Sequence, residues 1–151
     1  RIKAIQFTMN HDDGNKIDDI EKSDIILLGV SRTSKTPTSI YLANRGYKTS
    51  NIPIISETSL PKKITDNPKI TCVVGLLSDA SRLMDIRKNR ISLLKEKDSN
   101  TYINLKKIES EVKLSKDLFR KYGWPTIDIT RKSVEETAAS VIKIYDIMHS
   151  R

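Results

Sequence analysis

The chain holds 151 residues, 27 of them Lys or Arg against 19 Asp or Glu, for a formal net charge of +8. That length serves one domain with a real core, and no run approaches the ~18–20 apolar residues of a membrane span. A single cysteine, Cys72, excludes a disulfide framework and no Cys/His cluster is spaced for zinc, so a cytoplasmic protein away from membranes is expected. Aromatic residues make up 5% and the lysines are scattered rather than gathered in a stripe, which argues against a nucleic-acid partner.

In chain order, Arg1 to Phe7 reads as the interior of a strand-like segment and not as a native start. The chain is therefore expected to be the C-terminal portion of a longer protein, with one nucleotide-binding domain over 1–151. His11-Asp12-Asp13-Gly14 follows. Asp-Gly is a strong turn signal. The spacing leaves open a solvated turn or a His/Asp group beside a phosphate site, as proton acceptor or metal ligand. Ile25 to Leu28 is apolar without alternation, the pattern of a strand buried on both faces of a parallel sheet.

Directly after that strand stands Gly29-Val30-Ser31-Arg32-Thr33-Ser34-Lys35-Thr36. It fits the phosphate-binding pattern G-x-x-x-x-G-K-[ST] with one departure, Ser34 where the second glycine belongs. Gly29 allows a sharp exit from the strand. The next backbone N–H groups can form a nest closed by the positive end of the following helix. Lys35 reaches toward the terminal phosphates, and the Thr36 hydroxyl can ligate Mg²⁺. A Cβ at position 34 costs about 1 kcal/mol or more if the backbone there needs positive φ. Pro37 suits a first helical turn, and Ile40, Tyr41 and Ala43 carry the helix to Gly46 as C-cap.

Asn51 to Ile55 reads as a short strand that Pro53 places at an edge, and Leu60 to Pro68 as a loop. Ile70 to Leu77 is a second buried strand, with Cys72 as a structural thiol. Helices are expected over about 79–96 and 104–122. The latter carries Leu105, Ile108, Val112, Phe119 and Tyr122 on one stripe and ends at Gly123 and Pro125. Thr126 to Thr130 is a further strand. Ser133 and Glu136 form a capping box for a last helix whose Val134, Ala138, Val141, Tyr145 and Met148 face the core. Strands alternating with helices define an α/β fold of P-loop type, a mostly parallel sheet flanked by helices.

In the helix from Asp79, Arg87 and Arg90 fall inside the apolar arc of Leu83, Ile86, Ile91 and Leu94. An inward arginine is paired, snorkels, or lines an anion site. Asp79 is explained by helix capping and Asp128 points either way, so the acid that would hold a metal is unassigned. His149 reads as exposed.

These segments resemble the bacterial and plant regulatory proteins of pyruvate, phosphate dikinase and the related regulators of phosphoenolpyruvate synthase, which are bifunctional kinases and phosphorylases. Gly29 to Ala43 carries the likeness most closely. His11 to Gly14, Gly75-Leu76 with Arg82-Leu83 and Ile86-Arg87 to Arg90, and Ile127 to Thr130 with Arg131, Ser133 and Glu135 to Ala138 extend it. The resemblance implies phosphorylation of a threonine on the phosphohistidine form of the dikinase, with ADP as donor. It implies the reverse reaction with inorganic phosphate, which releases pyrophosphate. Carried over, Gly29 to Thr36 is the ADP loop, with contacts from the backbone of Val30 to Ser34 and from Lys35, and Thr36 on Mg²⁺. Arg32, or Arg87 with Arg90, would hold a second phosphate, and His11, Asp12 or Asp13 would take the threonine proton. A homo-oligomer is expected, and Ser34 reads as a subfamily spelling of the loop. The synthase as target, and a nucleotide-binding module or metabolite kinase, stand as alternatives.

Overall fold

The computed structural model describes residues 2–12, 17–30, 32–94 and 105–149. Four parallel strands, β1 (Ile25–Gly29), β2 (Thr49–Pro53), β3 (Cys72–Leu77) and β4 (Thr126–Asp128), form one sheet in the order β2-β1-β3-β4. The helices are α1 (Ile2–Asn10), α2 (Lys35–Asn44), α3 (Lys62–Asp66), α4 (Ala80–Leu94), α5 (Leu105–Tyr122) and α6 (Val134–His149). Short 3-10 turns cover Ile17–Lys22 and Glu57–Ser59. This is the expected α/β class.

The unbroken apolar run of β1 follows from its place between two cores. Ile26 and Leu28 join Val73, Leu83, Ile108, Leu118 and Phe119 on the face covered by α3, α4 and α5. Ile25 and Leu27 join Leu42, Val74, Leu76, Ala138 and Val141 on the face covered by α2 and α6. All four β1 side chains are fully buried, each worth about 1.5–3 kcal/mol. Cys72 packs in the second core, and burial pushes its thiol up to about 11, so it acts as a small apolar side chain.

The helix ends follow their chemistry. Gly46 (φ 96°) closes α2, donating to the Ala43 carbonyl at 2.9 Å while Tyr47 N–H returns to Leu42 at 3.1 Å; this double closure needs a left-handed residue. At the start of α6 the Ser133 N–H donates to Glu136 Oε1 (3.2 Å) and the Glu136 N–H to Ser133 Oγ (3.1 Å), the reciprocal capping box.

Some expectations change. Residues 2–10 are helical, not a strand. Ala4 and Thr8, four apart, are the buried face of α1, while Ile2 and Met9 are exposed. The mixed polar and apolar spelling of the segment hid a helix whose buried side is made of small residues. Between Pro61 and Pro68 a five-residue helix replaces the expected loop, with Ile64 fully buried. Strand β2 begins two residues earlier than read, at Thr49, yet it does lie at the sheet edge. Met148 and Leu105 are 38% exposed. A 16-residue helix such as α6 runs about 24 Å, beyond strands of about 17–20 Å, so its end outruns the core.

Gly75 sits where the Phe119 ring lies on β3. A Cβ there would stand 2.5 Å from ring carbons. Gly75→Ala is expected to destabilise the fold by about 1–3 kcal/mol through overpacking, read from urea unfolding midpoints. Adding Phe119→Leu should return part of that loss, and equal losses in the single and double variants would show that the ring is not the cause.

Candidate nucleotide phosphate site

With β2 on one side of β1 and β3 on the other, the connections diverge above the carboxyl end of β1. Crevices at such switch points are where open α/β sheets bind ligands. The loop from Gly29 to Thr36 occupies this place, between β1 and α2.

Gly29 is required by space. A Cβ on it would lie 2.6 Å from Thr33 Oγ1 and 3.0 Å from the Leu76 carbonyl oxygen. Positive φ falls elsewhere in the loop, at Arg32 (68°) and Ser34 (61°). Ser34 is the N-cap of α2 and makes no side-chain cap bond, so it holds the left-handed conformation that glycine would hold without strain. Thr33 is buried, and its hydroxyl donates to the Val30 carbonyl at 2.8 Å. Lys35, 6% exposed, donates through Nζ to the same carbonyl at 2.8 Å and to Thr33 Oγ1 at 3.4 Å. The ammonium thus lies across the loop at the N-terminus of α2, where helix dipole and cation both favour an anion. Arg32 and Thr36 are exposed at its rim, and Ser31 lies outside the described residues.

Helix α1 brings a second segment to this loop. It covers the open edge of β2, where the Thr8 hydroxyl accepts the Thr49 N–H (3.0 Å) and the His11 carbonyl accepts the Asn51 N–H (3.4 Å). An edge strand needs such partners. The chain beyond α1 then meets the start of α2. Asp12 Oδ1 accepts from the Thr36 hydroxyl at 2.9 Å and from Asn51 Nδ2 at 2.6 Å. Asn51 also donates to Ser39 Oγ (3.3 Å), whose hydroxyl donates to the Lys35 carbonyl at 2.7 Å.

Of the His11–Gly14 group, Asp12 is therefore beside the loop, and Asp13 lies outside the described residues. His11 is buried and stacked on Phe7, with ring centroids 3.8 Å apart. Its Nδ1 donates to the Phe7 carbonyl at 2.7 Å, and Nε2 is 2.6 Å from Asp19 Oδ1. Asp19 stands where the 3-10 turn breaks from helical angles (φ −115°). The hydrogen bond with His11 holds its carboxyl below the ordinary value. For His11 to accept a proton from a substrate, the contact with Asp19 must open.

The other acids at the strand ends act locally. Asp79 Oδ1 accepts the Ser81 N–H at 3.3 Å, as a helix cap does. Asp128 Oδ1 accepts the Thr130 hydroxyl and N–H at 2.5 and 3.0 Å, and these bonds keep its carboxyl below the usual range. Arg87 is 2% exposed and pairs through Nη1 with Glu111 Oε2 at 2.9 Å, tying α4 to α5. The paired reading of an inward arginine thus has a named partner, and a role on phosphate would require that pair to open. The Arg90 side chain lies outside the described ones.

Asn51 and Ser39 join this group without belonging to any motif. A signal existed: asparagine is a poor strand residue, yet it sits inside β2 between Ser50 and Ile52. The Thr36 hydroxyl and Asp12 carboxylate are hard oxygen donors suited to Mg²⁺. Among the described residues no three His, Cys, Asp or Glu gather as a cage, so most ligands of a cation here would be water and phosphate oxygens.

A buried parallel strand, a tight loop with lysine at its end and a helix behind it belong to an α/β domain with an all-parallel sheet flanked by helices. The kinase/pyrophosphorylase family matches residues 1–142, and the chain belongs to that family. It is 66% identical over 147 residues to a Pelagibacter ubique (strain HTCC1062) protein, covering 97% of this chain and 54% of that one. It is 50% identical over 151 residues to a protein of a Brugia malayi Wolbachia (strain TRS), covering 98% and 54%. To one from Erythrobacter litoralis (strain HTCC2594) it is 48% identical over 153 residues, covering 100% and 54%. All three bear the name "Putative pyruvate, phosphate dikinase regulatory protein". The chain spans about half the length of these curated relatives. Among the described residues no helix is long and apolar enough to cross a membrane.

Two measurements check the local physics. Ser34→Gly removes left-handed strain and adds unfolded-state entropy, for an expected net gain of about 0.5–1 kcal/mol in urea unfolding; a loss would mean that the serine side chain is itself needed. Asp19 has a depressed carboxyl, so its contribution is present above its ordinary value of 3.8 and lost as pH falls through the lower folded value. Asp19→Asn should therefore lower the melting temperature at about pH 6 and leave it unchanged at about pH 2. The same drop at both would remove the His11–Asp19 contact as the cause.

Proposed function

We propose that the full-length protein is an ADP-dependent serine/threonine kinase and phosphate-dependent pyrophosphorylase that switches pyruvate, phosphate dikinase off and on. The observation that carries this reading is the convergence of Lys35, the Thr36–Asp12 pair and the strained loop at the carboxyl end of β1, in a member of the kinase/pyrophosphorylase family. The names of the relatives supply the dikinase as target.

Phosphoryl transfer asks chiefly for positioning and charge neutralisation. In the forward direction the threonine oxygen of the target attacks the β-phosphorus of ADP, AMP leaves, and the hydroxyl proton passes to a base in the His11–Asp13 segment. In the reverse direction an oxygen of inorganic phosphate attacks the phosphothreonine phosphorus. The threonine oxygen leaves and recovers a proton, and pyrophosphate is formed. Lys35 exchanges its bond to the Val30 carbonyl for a terminal phosphate oxygen. The loop N–H groups hold the diphosphate, and the exposed Arg32 meets the second phosphate. Magnesium, when bound, would neutralise phosphate charge, held on the protein side by Thr36 and Asp12.

The test incubates full-length protein with purified dikinase, phosphoenolpyruvate and labelled ADP. The expected product is acid-stable label on a dikinase threonine. Lys35→Ala should reduce transfer in both directions by about 100-fold or more. Unchanged transfer by that variant would sink the assignment of the loop, and label appearing only on phosphoenolpyruvate synthase or on a small molecule would replace the target.

A further inference from the structure

We propose that Asn51 is a positioning residue for the cation side of the site: its buried amide fixes the Asp12 carboxylate against the Thr36 hydroxyl and so sets how tightly magnesium joins the bound nucleotide. This role rests on the nucleotide reading above.

Asn51 is fully buried in an edge strand, where a β-branched apolar residue would serve the sheet better. A buried amide must be hydrogen-bonded or it costs stability. The needs of the sheet do not explain the side chain, because the backbone N–H of Asn51 already meets the His11 carbonyl at 3.4 Å. What the amide adds is a bond of 2.6 Å to a carboxylate, short and charge-assisted, stronger than a bond between neutral groups.

That bond and the bond from Thr36 both end on Oδ1 of Asp12. The carboxylate is thereby held by one oxygen, and Oδ2 is the oxygen that neither bond uses. The link through Ser39 to the Lys35 carbonyl joins the same amide to the first turn of α2. One side chain thus sets the spacing between the acid of one segment and the hydroxyl of another. Residues that orient a metal-binding carboxylate through a hydrogen bond commonly change metal affinity by about 10–100-fold when removed.

The experiment measures ADP binding to the full-length protein by calorimetry, once with EDTA and once with saturating Mg²⁺. Magnesium should strengthen ADP binding to the wild type. Asn51→Ala is expected to lose about 10-fold of that strengthening while its affinity for ADP in EDTA stays within about 2-fold. Asn51→Thr, a strand-compatible side chain too short to reach Asp12, should behave alike and covers the case in which the alanine variant folds poorly. Asp12→Asn should lose the strengthening as well, and Asn51→Ala placed on top of it should remove nothing further. Folded variants that melt earlier but keep the full effect of magnesium would overturn the positioning role, as would losses that add in the double variant. A wild type that binds no ADP overturns the nucleotide reading itself, without any variant, whereas one that binds ADP equally well with EDTA overturns the magnesium role proposed for Asn51.

Discussion

Where β1 leaves the sheet, the backbone has almost no room. A Cβ at position 29 would stand 2.6 Å from Thr33 Oγ1, closer than a Cβ can approach, and 3.0 Å from the Leu76 carbonyl oxygen, itself a tight contact. Because the chain passes so close, Thr33 can turn its hydroxyl onto the Val30 carbonyl, and Lys35 can lay its ammonium across the same oxygen. The loop is folded around the Val30 carbonyl. Its shape is set by β1 and β3, the two central strands of the sheet, so the site inherits the rigidity of the double core.

That rigidity offsets a local cost. Two non-glycine residues, Arg32 and Ser34, stand at positive φ within the loop, each at about 1–2 kcal/mol. Such strain persists only where surrounding structure over-determines it. The anchors here are four fully buried side chains before the loop and Thr38, Ser39, Leu42 and Ala43 after it, all essentially without exposure. The edge of the sheet is held differently. Thr8 and the His11 carbonyl take up N–H groups that β2 would otherwise present to solvent or to another strand. The helix that protects the edge also delivers Asp12, so edge protection and site assembly depend on one packing contact.

The parts of this arrangement that could be read from the sequence are those governed by local rules. The doubly buried β1, the lysine and threonine at the loop end, the Ser133–Glu136 capping box and the glycine ends of α2 and α5 each follow from residue type and spacing. Ser34 was legible as a φ problem, and its angle of 61° gives that problem its value. What could not be read was tertiary. Helix α1 presents Ala4 and Thr8 inward, a face too small to produce an apolar stripe. Asp12 reaches Thr36 across 24 residues and Asn51 across 39, and nothing in local patterning encodes such a meeting. Arg87 looked equally like an anion ligand and an ion-pair member, because an amphipathic arc tells which way a side chain points and not what it meets there; the meeting is with Glu111.

The bonds made by the loop and by the segment after α1 also differ in kind. Lys35 donates to the Val30 carbonyl and to the Thr33 hydroxyl, both neutral acceptors, whereas a phosphate oxygen carries charge and attracts an ammonium more strongly. His11 is in the opposite condition. It has both ring nitrogens against oxygen acceptors, one of them a carboxylate, and leaving that pairing has a cost that no neutral partner repays. Asp12 needs no such release, because its Oδ1 bonds leave the carboxylate at the rim, beside an exposed Thr36. Within this segment the histidine then serves to fix the end of α1 and the turn after it, while the aspartate next to it meets Thr36 at the start of α2.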